Sequence, residues 1–364
     1  MRGSLFRRIS AAGPILAASL LSLSGFSACD KGTGEEKLPL GTTSEVIADV
    51  SSKVIYAIYT DLAVQTEALQ GAVDRLAKTP SDANLATAQQ AWRNARVPWE
   101  HSEAFLFGPV MNLNTDGPVD SWPLNQVDLE KVLQSNAALT KGYVDSLGVN
   151  LKGFHTLEYL LFGDTAQAQS AANLSPRELE YLKATTASLL GEVKALRLAW
   201  DPAGENFLGT LQNAGKGSDI YLTEQQAVEE LLAGISGICG EVANEKMYTP
   251  FHTDPPDPAQ EESRFSNNST ADFANNLRGA RDVYVGGYGG KTGHGLKDLV
   301  ERKDPALAKQ VLAEFDAALA ATLAMGVFTE AIFNTPQKVE DAITTVRTLK
   351  FTLAVTVSDA LGIP

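Results

Sequence analysis

From Thr42 onward the apolar residues Val46, Val50, Val54, Ile58, Leu62, Leu69, Val73 and Leu76 recur at helical steps, and no stretch of comparable length alternates as a half-buried strand would. Thr42 and Glu45 have capping-box spacing ahead of this run, and Pro80 follows its expected end near Lys78. A second helix is expected from Ser81 through Ala91, Trp92 and Ala95, with Pro98 kinking or interrupting it and Gly108-Pro109 closing the segment. Later starts are marked by Ser175-Pro176-Arg177-Glu178 and by Thr335-Pro336, where proline occupies the first turn. The chain therefore reads as all-α, built of helical bundles.

Breaks in the pattern divide it. Residues 201–219, rich in Gly, Asn and Asp, read as a linker between a first bundle half, 42–200, and a second, 220–364. Gly108 to Val127 reads as a long loop of the kind that lines a site, and Gly286 to Gly295 as a flexible one. Asn150-Leu151-Lys152-Gly153 recurs as Asn276-Leu277-Arg278-Gly279, a faint internal echo that superposes His155 on Arg281 and Glu158 on Tyr284.

The opening residues have the form of a leader, with Arg2, Arg7 and Arg8 ahead of an apolar run from Ala11 to Leu23. Phe26-Ser27-Ala28-Cys29 has the form of a bacterial lipoprotein cleavage box. We expect residues 1–28 to be removed, Cys29 to be lipidated, and 29–41 to serve as a tether. The protein is then periplasmic and anchored to a bacterial membrane, inner or outer being undecided. Losing the three leader arginines takes the formal net charge from −14 to −17, which argues against nucleic acid and suits a body that attracts cations. Cys239 is then the sole thiol beside the acylated one, so no intrachain disulfide forms, and its apolar neighbours make it a buried helix residue.

In NLKGFHTLEYLLFG, His155 and Glu158 stand three residues apart, so a helix places imidazole and carboxylate on one face. Their neighbours are apolar, and a carboxylate in such surroundings is costly unless paired, hydrogen-bonded or bound to metal. The alternative is a pair of polar residues that the core tolerates. Further ligands could come from Glu100, Glu103 and His101 at the end of the second helix and from Asp116 and Asp120 after it, with Arg96 placed to hold the acids ionised. A zinc peptidase needs three protein ligands, an open position and a base. HExxH is absent, and Tyr159 stands where an inverted HxxEH motif requires its second histidine. The chain has four histidines, His101, His155, His252 and His294; one histidine with several carboxylates suits iron or manganese better than catalytic zinc.

GFHTLEYLLFG resembles the GxHxxE signature of the imelysin family, bacterial proteins first described as insulin-cleaving metallopeptidases. Glu103-Ala104-Phe105, Phe107-Gly108-Pro109, Asp120-Ser121-Trp122-Pro123, Glu262-Ser263-Arg264-Phe265-Ser266 and Asn276-Leu277 with Gly279, Tyr284 and Gly286 extend the resemblance over nearly the whole mature chain. It implies a duplicated helical fold with a groove between the halves, and a link to bacterial iron uptake. Gly153, His155 and Glu158 are then the signature residues, with His155 and Glu158 as metal ligands and Glu103, Glu100 and Asp120 as candidates to complete the set. Arg96, Trp122, Arg264, Ser266 and Tyr284 are expected around the groove. The implied ligand is a metal ion, iron before zinc or manganese, with an iron-uptake protein as partner. Peptide hydrolysis at the same residues and a metal-free interaction scaffold remain as alternatives.

Overall fold

The computed structural model describes residues 39–164 and 169–363. The leader, Cys29 and most of the tether lie outside the described residues. Among those described there is no strand, and Leu40–Pro364 forms one compact unit.

Eight long helices carry the architecture: α1 (Tyr56–Lys78), α2 (Asp82–Ser102), α3 (Gly153–Phe162), α4 (Pro176–Trp200), α5 (Glu224–Glu241), α6 (Ser269–Val285), α7 (Pro305–Ala324) and α8 (Pro336–Phe351). The expected starts are present. Thr42 and Ser175 each make both bonds of a capping box, and the Ser81 side chain accepts from the Asn84 backbone. Leading into α1, Thr43–Asp49 and a π-helical stretch, Val50–Ile55, extend the same run, which ends at Lys78, two residues before Pro80 as expected. Of the two effects expected of Pro98, interruption does not occur: α2 continues through it to Ser102. The stretch expected to be loop after Gly108 contains two short helices, Pro109–Asn112 and Asp116–Asp120.

Packing closes two rings. α1 meets α2 and α4, and α3 meets both α2 and α4; in the same way α5 meets α6 and α8, and α7 meets α6 and α8. The rings are joined chiefly where α2 lies against α6. Residues 201–219, between them in sequence, carry a helix, Phe207–Gln212, whose Phe207 ring packs edge-on against Trp200 at 5.0 Å.

Aromatic residues lock the first ring. The Trp92 indole donates to the Phe154 carbonyl at 2.9 Å, tying α2 to the start of α3, while Tyr59 on α1 packs against Phe105 and Trp200. The 286–295 loop is pinned: the His294 backbone donates to Asp49 and its ring sits 2.6 Å from Asp298. Cys239 is fully buried on α5, and that burial pushes its thiol up to about 12.

The α2–α6 joint depends on a glycine. A Cβ on Gly279 would lie 2.2 Å from the His101 carbonyl oxygen, far inside contact distance, and backbone cannot swing aside as a side-chain tip can. We expect Gly279→Ala to cost about 1–3 kcal/mol by overpacking, seen as a lower thermal midpoint. An unchanged midpoint would mean that the helices separate freely here.

Candidate metal centre

Charged side chains are buried at the joint on a scale that few cores show. Arg96, on α2, is fully buried and touches four carboxylates: Glu100 one turn along, Asp120 on the short helix after the first loop, Glu262 at 2.8 Å and Asp272 of α6 at 3.4 Å. Its guanidinium also lies over the Phe154 ring at 5.2 Å. Lys246 ends a second π-helical stretch, Val242–Lys246, and reaches Glu103 at 2.8 Å and Glu262 at 3.1 Å. From α6, Asn276 donates to Glu100 and Glu103. Asp120, Glu262, Glu100, Glu103 and Asp272 thus share two permanent cations, Arg96 and Lys246. A buried surplus of carboxylates over cations is costly until protons or a metal ion make up the difference.

His155 lies against this cluster, and its position follows from Gly153. That glycine has φ +78, and a Cβ on it would sit 2.3 Å from the Val119 carbonyl oxygen. Only glycine lets α3 begin so close to the Asp116–Asp120 helix, and the closeness brings Asp120 to His155.

The two ring nitrogens of His155 have separate tasks. Nδ1 is 3.1 Å from Glu158 Oε2, and the other Glu158 oxygen accepts from the Ser266 backbone at 2.8 Å and the Ser266 hydroxyl at 2.7 Å. Nε2 faces Asp120 Oδ1 at 3.2 Å and Glu262 Oε1 at 3.8 Å, is buried, and has no partner in hydrogen-bond geometry. One donor atom each from Asp120, His155 and Glu262 lie within 4.8 Å of one another. That is a three-donor nitrogen and oxygen set, with the far side of the imidazole oriented by a carboxylate, as metal-binding histidines commonly are. The residues fit a metal ion. Arg96 shares both carboxylates with it, which their several lone pairs allow.

The sequence expectation that His155 and Glu158 converge on one ion is therefore changed: Glu158 holds the ring, and the carboxylates beside Nε2 are Asp120 and Glu262. Glu100 and Glu103 are engaged by Arg96, Lys246 and Asn276. Trp122 packs edge-on against the His155 ring at 4.9 Å, and Arg264 and Ser266 lie on the turn that carries Glu262. Tyr284 is not at the groove; it is buried against Phe315 at 5.7 Å, within the second ring. His101 pairs with Asp282 at 2.9 Å instead of joining the cluster. Glu262, Lys246 and Asp272 were not marked as site residues by any helical spacing. The Glu262 to Ser266 match was the available signal for the first.

A pocket of about 580 Å³ opens onto Asp120 and Glu262, and its lining includes Glu103, Asp116, Glu241 and Glu245 with Lys246 as the single basic residue. It is an acidic approach that draws cations in. Burial pushes the Glu241 carboxyl up to about 7 and that of Asp272 up to about 6. For Asp120 burial acts in the same direction, but Arg96 and then His155 outweigh it and hold the carboxyl well below the usual range. Burial opposes charging His155, yet the negative charge of Asp120 beside Nε2 and the contact of Nδ1 with Glu158 raise the ring to about 9.

The raised imidazolium stabilises the fold fully below pH 6.5, the ordinary histidine value, and this contribution is lost as pH rises through about 9. Asp120→Asn should lower the His155 pKa and shift that loss to lower pH. NMR titration of the ring in chelator-treated protein, paired with urea unfolding across the range, reads both; an unmoved pKa would remove Asp120 from the account.

The imelysin family model matches residues 55–353. The chain is 31% identical over 276 residues to Iron-regulated protein A of Synechococcus elongatus, covering 75% of this chain and 73% of that protein. Among solved structures, one described as an iron-regulated protein A precursor from Parabacteroides distasonis superposes with a TM-score of 0.78 at 28% identity, covering 89% of this chain and 96% of that one. An imelysin-like protein from Psychrobacter arcticum shares the fold, with a TM-score of 0.70 at 13% identity over 90% of this chain and 99% of its own. With the family match spanning most of its length and a relative this similar over three quarters of it, the chain belongs to the imelysin family.

Proposed function

We propose that the protein binds a metal ion, iron before zinc or manganese, between Asp120, His155 and Glu262, and serves bacterial iron uptake or homeostasis. The observation that carries this reading is the His155 Nε2 atom, buried, without a hydrogen-bond partner, and directed at two carboxylates while Nδ1 is fixed by Glu158. A core histidine retained only for packing would have both nitrogens satisfied. The surplus of buried carboxylates supplies the charge that a bound cation would neutralise. The names of the cyanobacterial and Parabacteroides relatives, which call those proteins iron-regulated, favour iron. A peptidase role at the same residues is the second reading, favoured by the pocket that leaves the Asp120 and Glu262 side reachable.

Metal analysis and titration of the purified protein test this. One ion per chain is expected, abolished by His155→Ala and by Glu262→Gln, with Glu158→Gln weakening binding by about 10–100-fold because the ring loses its orienting partner. Retention of the ion in His155→Ala would defeat the assignment. Metal-dependent cleavage of an unfolded protein substrate would move the function to the second reading.

The reading includes a lipid anchor at Cys29 holding the body in the periplasm, with an iron-uptake protein as its partner. Among the described residues no single helix is long and apolar enough to cross a membrane. Cys29→Ser should shift the protein from the membrane to the soluble periplasmic fraction on cell fractionation; unchanged membrane association would rule out the anchor.

A further inference from the structure

A groove of about 530 Å³ shares Trp122, Pro123 and Ala259 with the acidic pocket. Two buried nitrogen donors in its lining have no hydrogen-bond partner, Nε1 of the Trp122 indole and Nε of the Arg264 guanidinium. Arg264 is stacked on Phe265 at 4.2 Å, and Asp257 and Glu261 feel its charge without forming an ion pair with it. Buried donors are nearly always satisfied in folded proteins, so two orphans in one groove indicate a missing acceptor. A guanidinium held flat against an aromatic ring presents its remaining N–H groups as a fork that matches a carboxylate.

We infer that this groove binds a carboxylate of a small polycarboxylic acid, the acid that accompanies the metal ion as its chelator. The carboxylate site follows from the orphaned donors; the chelate half rests on the metal reading above. Trp122 lines both the groove and the acidic pocket, and its ring packs against His155. An acid held by Arg264 can therefore extend further carboxylates past Trp122 towards Asp120 and Glu262. Those acids repel a bare polyanion, so the chelate binds more tightly than the free acid. Metal and chelator arrive together, and selectivity lies in both halves.

Calorimetry with citrate, alone and as its iron(III) complex, tests the inference on the purified protein. Saturable binding of citrate is expected, tighter for the complex, and weakened at least about tenfold by Arg264→Met through loss of charge-assisted bonds. Trp122→Phe, which keeps a ring but removes the N–H, should weaken it by a smaller factor. Arg264→Lys should restore part of what Arg264→Met loses. Since Arg264 makes no ion pair, an unchanged thermal midpoint for Arg264→Met confirms that the loss is not unfolding. His155→Ala should still bind metal-free citrate, which separates this groove from the metal site. No saturable citrate binding, or equal binding by wild type and Arg264→Met, overturns the inference and leaves water as the partner of both donors. Citrate binding with no preference for the iron complex overturns the chelate half alone.

Discussion

The guanidinium of Arg96 is the point on which the arrangement turns. It is buried where the two helical rings meet and holds carboxylates from four separate places in the chain: its own helix, the short Asp116–Asp120 helix, the turn at 261–268 and α6. Removing one partner of such a buried pair ordinarily costs about 3–5 kcal/mol, because the remaining charge is left uncompensated. Hydrophobic residues of similar volume would stabilise the joint as well or better. The retention of so many charges there points to function, and the distribution of their pKa values agrees: Arg96 is held charged by Asp120, Asp272, Glu100 and Glu262 against the pull of burial, while burial keeps Glu100 well above the ordinary carboxylate range.

Around that fixed charge the signature residues separate into distinct tasks. Gly153 sets the distance between two short segments, Glu158 and Ser266 orient the imidazole, and His155 presents its free nitrogen to Asp120 and Glu262. The spacing of histidine and glutamate on α3 is thus explained by an intrahelical contact. The carboxylates that face Nε2 come from elsewhere, from segments brought in by tertiary packing.

How much of this could be read in advance follows from which features are local. Capping at Thr42, Ser81 and Ser175 and the apolar stripe of the first run are local, and the all-α class followed from them. Pro98 does not interrupt α2, because a proline inside a helix costs about 3 kcal/mol and burial of the neighbouring Trp99 ring offsets part of that cost. Glu262 has no periodicity to betray it, since it lies on a turn where Ser263 and Asn267 take left-handed backbone conformations. Lys246 was hidden by the π-helical stretch, which changes the angular position that ordinary helical counting assigns. Tyr284 was expected near the groove from the family resemblance, yet this half of the chain uses it for packing: Gly279 permits helix contact and Tyr284 fills the second ring.

The joining of the rings through α2 and α6 bears on how such a molecule can be divided. Arg96 and Asp272 are 176 positions apart, and Glu262 is nearly as distant. A fragment ending after α4 would keep Arg96 beside Glu100 and Asp120 but lose its contacts with Glu262 and Asp272, while the complementary fragment would keep those acids without their arginine. The doubled appearance of the architecture therefore does not describe two independent modules. Each ring carries part of one charge cluster, and synthesis of the chain must run past α6 before Arg96 meets all four of its carboxylates.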